Sequence, residues 1–89
     1  MAREDIQGEL RCGDLVIAVS AWIDDDPSTA PSYARGGVNY GEAWIAEGDL
    51  MGQLPADAKC VLGSDSGELR IRVHSYDQGG KRAQFVAEP

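Results

Sequence analysis

Three consecutive carboxylates, Asp24, Asp25 and Asp26, form the densest chemical group in the chain. Carboxylate oxygens suit hard cations such as Ca²⁺ or Mg²⁺. The spacing that wraps a calcium ion, D-x-D-x-D-G, is absent, and consecutive side chains after a strand splay apart. The triplet therefore reads as a solvated strand end or as a charged loop that meets a partner, and no metal or other cofactor is expected. Tyr33 and Arg35, further along the same irregular stretch, are residue types favoured at the energetic centres of interfaces. A second group is basic: Arg70, Arg72 and His74 at alternate positions, with Lys81 and Arg82 on the run that follows. Such a face could hold a nucleic acid or a ligand. The commoner origin is an exposed sheet face paired with acidic residues of the same chain, or one guarded against aggregation.

Catalytic sets are missing. Ser20, Ser64 and Ser66 lie outside any G-x-S-x-G pattern, and His74 is the single histidine available as a base. Strand alternation sends His74 outward and the cysteines inward, which separates a thiol nucleophile from its base. Neither G-x-x-x-x-G-K-[ST] nor G-x-G-x-x-G occurs. No enzyme is expected. Cys12 and Cys60 stand far apart, outside any C-x-x-C pair, and one histidine cannot complete a zinc set with them. They read as small buried thiols, with a disulfide as the alternative.

The elements that would position these groups are strands. Residues 15–23 are uncharged and almost wholly apolar, which predicts an interior strand apolar on both faces. Residues 6–12 alternate, with Ile6, Gly8, Leu10 and Cys12 on one side, and Gly13-Asp14 suits a two-residue hairpin turn between the two runs. Residues 24–37, with two prolines and a diglycine, form a long loop, and loops of that length in small domains tend to carry function. Residues 38–46 read as a third strand, with Val38, Tyr40 and Trp44 on one face. A bulge at Gly41 and Glu42 would adjust its alternation. Residues 50–54 suit a short returning strand, and 55–58 a loop or at most one helical turn. A short strand at 60–62 follows. Residues 68–76 alternate most clearly, with Leu69, Ile71, Val73 and Ser75 inward and Tyr76 outward, and Asp77 to Gly80 turns the chain into a last strand centred on Phe85. Trp22, Tyr40 and Trp44 are expected in the core. No sustained helical period occurs. The fold class is all-β: a small single-domain antiparallel barrel or two-sheet sandwich of six or seven short strands across residues 1–89.

Composition limits function further. The 89 residues make one domain, near the low end of what a single core stabilises, and carry a net charge of −7. Residues 1–58 hold eleven acids against three bases, whereas residues 59–89 hold four against five. Acidic chains repel nucleic acid and anionic membranes and attract basic protein surfaces. The first residues lack a basic region followed by an apolar one, and no apolar run approaches the roughly 18 residues of a membrane span, so a cytoplasmic address is expected. Together these features point to a non-enzymatic acidic protein that blocks a basic surface of a protein partner, including a nucleic-acid-binding one. Immunity proteins and phage or mobile-element inhibitors of nucleases or defence complexes work in this manner, some by mimicking nucleic-acid charge. Asp24, Asp25, Asp26, Tyr33, Arg35, Glu42, Glu47 and Asp49 are the expected contact residues. The alternatives are a small-barrel nucleic-acid or ligand module using Arg70, Arg72 and His74, and a self-associating structural subunit of a larger assembly.

Overall fold

The computed structural model describes residues 3–26, 28–34, 39–54, 58–65 and 67–88. Six strands are formed: β1 (Glu4–Cys12), β2 (Leu15–Asp24), β3 (Tyr40–Trp44), β4 (Lys59–Ser64), β5 (Gly67–Tyr76) and β6 (Arg82–Ala87). They close into a wholly antiparallel barrel in the order β1-β2-β3-β6-β5-β4. No helix among the described residues is long and apolar enough to cross a membrane.

Local chemistry sets the strand ends. Gly13 takes a φ of 64°, a left-handed conformation that glycine reaches without a Cβ penalty, and Cys12 pairs directly with Leu15 across the turn. Gly80, at a φ of 71°, does the same before β6. Period-two alternation then fixes which side chains enter the barrel. Leu10, Leu62, Ile71, Val73 and Phe85 are almost completely buried there, with Ile17, Val19, Ala21, Ala43 and Ala83 filling the gaps between them.

Strand order places β3 and β4 on opposite sides of the barrel, so the chain between them must cross one barrel end. Leu50, Leu54 and Ala58 on this crossing are buried in the same core cluster and seal that end. The Leu50 and Met51 N–H groups both donate to the Gly80 carbonyl at 3.0 Å, and the Val73 N–H donates to the Ala58 carbonyl at 2.8 Å. Residues 50–54 accordingly form hydrogen-bonded turns instead of the expected strand. The expected helical turn falls at residues 55–57, outside those described, together with Ala58, which is.

Closure of the barrel corrects several expectations. A barrel has one interior, so β2 cannot be buried on both faces. Ile17, Val19 and Ala21 point in, while Val16 is 57% exposed and Ala18 also faces outward. The bulge lies in β5: Val73 pairs with Phe85 and Ser75 with Gln84, leaving His74 as the extra residue. Beyond the bulge the alternation is reversed, so Tyr76 pairs with Ala83 and packs against the core although it was expected outside. β3 pairs without irregularity on both sides, so nothing shifts at Gly41 and Glu42. Gly41 serves a different need. A Cβ built on it would collide with the Trp22 carbonyl oxygen and lie 3.0 Å from the Phe85 ring.

The cysteines are not free thiols. Cys12 and Cys60 form a disulfide, with Cα atoms 4.4 Å apart. The β1–β4 register runs from Gly8↔Ser64 to Arg11↔Val61, and Cys12 with Cys60 is its next step. This seam, four pairs long against nine between β1 and β2, is the shortest of the six ladders that close the barrel.

Candidate functional site

The outside of β2, β3, β6 and β5 carries the main concentration of large polar and aromatic side chains. Trp22, Glu42, Gln84 and Ser75 occupy one continuous cross-strand row over these four strands. Trp22 Nε1 donates to Glu42 Oε1 at 3.1 Å, Gln84 Nε2 donates to Glu42 Oε2 at 2.7 Å, and Ser75 Oγ donates to Gln84 Oε1 at 3.1 Å. Arg82 reaches the same Glu42 carboxylate at 3.5 Å. Glu42 is thus the hub of a satisfied polar row on the barrel wall, with each carboxylate oxygen fixed by a donor.

Both tryptophans lie on this wall and not in the barrel interior, where they were expected. Each ring has a guanidinium over it: Arg3 at 4.6 Å from the Trp22 centroid and Arg82 at 4.3 Å from that of Trp44. Trp22 also meets Tyr40 edge to face, with centroids 6.1 Å apart. Tyr40 is buried, but in a second small cluster outside the barrel. It packs with Ala34 and Val86, and Trp22, Ala30 and Tyr33 lie against them.

That outer cluster explains how the long connection after β2 is held. The Tyr40 hydroxyl donates to the Asp26 carbonyl at 3.0 Å and lies 2.8 Å from the Thr29 hydroxyl. Tyr33 stacks on His74 with centroids 3.9 Å apart and planes 9° from parallel. The bulge therefore presents His74 to the loop. Burial of Tyr33, with the negative charge of Glu42 adding to it, raises its phenol above the usual tyrosine range.

Two of the three aspartates, Asp24 and Asp26, are turn formers as well as charges. Asp24 Oδ1 accepts from the Asp25 and Asp26 N–H groups at 2.7 and 3.0 Å. Asp26 Oδ1 accepts from the Ser28 N–H and hydroxyl at 2.9 and 2.8 Å, bonds that hold its carboxyl below the ordinary aspartate value. Asp25 is the exposed member. No group of three or more metal-ligating side chains occurs among the described residues.

The other expected acids do not join them. Asp24 pairs with Tyr40 at the first residue of β3, whereas Glu47 and Asp49 follow the end of that strand, so they lie at the opposite barrel end. Asp49 is used locally, accepting from the Gly52 N–H at 3.1 Å. Glu42 stands between the two ends, inside the aromatic row. Arg35 falls outside the described residues. Asp24, Asp25, Asp26, Tyr33 and Glu42 are brought onto one side, together with Trp22, Trp44 and Arg3, which the sequence did not assign to a site, and with Arg82, which it placed in the basic group. Asp5, directly paired with Trp22 from β1, adds a further exposed carboxylate.

Of the basic group, Arg70, Arg72 and His74 follow one another along the outside of β5 as expected. Arg82 is drawn away to Glu42 and Trp44, and Lys81 sits in the β5–β6 turn, its N–H bonded to Asp77 Oδ1 at 2.8 Å. The five do not form one patch. No family model, curated protein or solved structure matches this chain.

Proposed function

We propose that the protein is a non-enzymatic interaction domain that covers a basic surface of a protein partner with the outer wall of β2, β3 and β6. One observation carries the reading: both tryptophans stand outside a barrel whose interior is already filled, within a surround of carboxylates from Asp5, Asp24, Asp25 and Glu42. Large amphipathic rings on a wall of this kind provide contact area at low entropic cost. Their faces also attract cations, as the chain's own Arg3 and Arg82 demonstrate. A partner rich in lysine and arginine would meet carboxylates first and rings second. Long-range attraction speeds the encounter, and ring burial slows release. Blocking of the partner's own ligand follows where that ligand is an anion such as nucleic acid.

The test begins with capture from the native host, comparing wild type with Trp22→Ala/Trp44→Ala, and continues with association kinetics on the recovered partner. Asp24→Asn/Asp25→Asn/Asp26→Asn keeps the turn-forming Oδ1 acceptors while removing three charges. It should slow association several-fold at low salt and leave dissociation nearly unchanged, and the tryptophan pair should speed dissociation. Binding that ignores both salt and these variants refutes the reading.

A further inference from the structure

On the opposite side of the barrel, where β1, β4 and β5 meet, lies a cleft of about 710 Å³ lined in part by Arg11, Lys59, Val61, Glu68, Arg70 and Glu88. Its volume is in the range of small-molecule sites. Within a chain of net charge −7, this cleft concentrates three bases against two acids.

The register explains the arrangement. Arg11, Val61 and Arg70 occupy one cross-strand row on the barrel exterior, so the two arginines straddle a valine from strands roughly 10 Å apart. Arg11 leans across β4 above Gly63, where its Nη2 lies 3.5 Å from the place a Cβ would take, and pairs with Glu68. Lys59 pairs with Glu88 at 3.7 Å, but Lys59 is 77% exposed, and a pair so open to water holds weakly. Both acids are thus engaged, and Arg70 has no ion-pair partner among the described residues. Arg11 Nε has no hydrogen-bond partner among the described residues but lies 3.8 Å from a Glu9 carboxylate oxygen, so Arg11 is held between Glu68 and Glu9.

We infer that this cleft binds a small organic anion, its carboxylate or phosphate held by Arg70 with Lys59 turning from Glu88, and its apolar body laid against Val61. Guanidinium groups take both head groups in the same forked geometry, so the shared chemistry is a planar or tetrahedral oxyanion attached to an apolar group.

The probes are benzoate and phenyl phosphate, with benzyl alcohol as the uncharged control, titrated into the full chain and followed through backbone amide NMR shifts. Saturable shifts centred on Lys59, Val61, Arg70 and Glu88 are expected for both anions, and the tighter of the two identifies the preferred head group. Benzyl alcohol should leave these amides in place. Arg70→Gln should weaken binding at least tenfold while Arg82→Gln, on the far wall, leaves it unchanged. Because Arg70 is exposed, the variant should keep the wild-type melting temperature. Shifts scattered over the surface, equal response to benzyl alcohol, or undiminished binding by Arg70→Gln would overturn the assignment.

Discussion

Breaking the bond between Cys12 and Cys60 should remove a large part of the fold's stability. The two cysteines are separated by 48 positions, and for a loop of that length the chain-entropy model gives about 4 kcal/mol. Domains of this size are stable by only about 4 to 13 kcal/mol in total, at roughly 0.05–0.15 kcal/mol per residue. At about 4–8 °C per kcal/mol, the loss lowers the melting temperature by roughly 15–30 °C. Structure concentrates the effect: the bond continues the β1–β4 ladder, at four pairs the shortest of the six that together close the barrel. Urea denaturation of wild type with and without reductant, and of Cys12→Ala/Cys60→Ala, measures the cost, with near-ultraviolet circular dichroism following the tryptophans. Amide hydrogen exchange then locates it. Protection should fall first along Gly8 to Arg11 and their β4 partners while β3 and β6 retain theirs. A double variant that loses less than about 1 kcal/mol, or loses protection uniformly, would refute the view that this staple holds the closing seam.

Other perturbations probe other parts of the structure. Gly41→Ala must push β3 from β2 or displace Phe85, and a loss of about 1–3 kcal/mol in chemical denaturation is expected, typical of overpacking. Leu50→Ala empties a completely buried position in the segment that seals the barrel end, and should cost about 2–5 kcal/mol by the same measurement. The Tyr33 phenol should ionise above the ordinary value near 10 when its absorbance at 295 nm is followed, and Glu42→Gln should lower that midpoint. Its folded pKa is raised, so its contribution is fully present below the unfolded value and is lost as pH climbs from about 10 through the folded value. A Tyr33 that titrates at or below 10 would contradict its placement against the wall.

Much of the barrel is legible in the sequence because period-two alternation is a local property. Residues 6–12 and 68–76 display it openly, and Gly13-Asp14 and Asp77 to Gly80 mark the turns. What is not legible depends on strand order. Val16 and Ala18 are apolar yet face outward, since a run of small apolar residues does not reveal which side the barrel encloses. Cys12 and Cys60 become neighbours only when β4 is laid against β1. The bulge at His74 leaves no trace, because Tyr76 is equally plausible on a wet face or a dry one. For the site, the aromatic row of β3 is readable, with Glu42 in its midst, but alternation alone does not say which face is core and which is wall. The arginines above Trp22 and Trp44 come from distant positions in the chain and carry no local signal. Glu47 and Asp49 look equivalent to the triplet in composition, and only the direction of β3 sends them to the other end.

Closure of the six strands has a consequence for how recognition can change over time. Each strand has a neighbour on both sides over part of its length, so the main-chain edges outside the ladders are short, Glu4–Gln7 of β1 and Leu15–Val19 of β2 among them. Over the closed part of the barrel, whatever this molecule meets must be read through side chains on the outer wall. Those side chains alternate with the ones that fill the interior, so an outward residue can be exchanged while its inward neighbours keep their packing. Lineages bearing this barrel can therefore redraw their contacts one substitution at a time without reopening the question of how the chain folds.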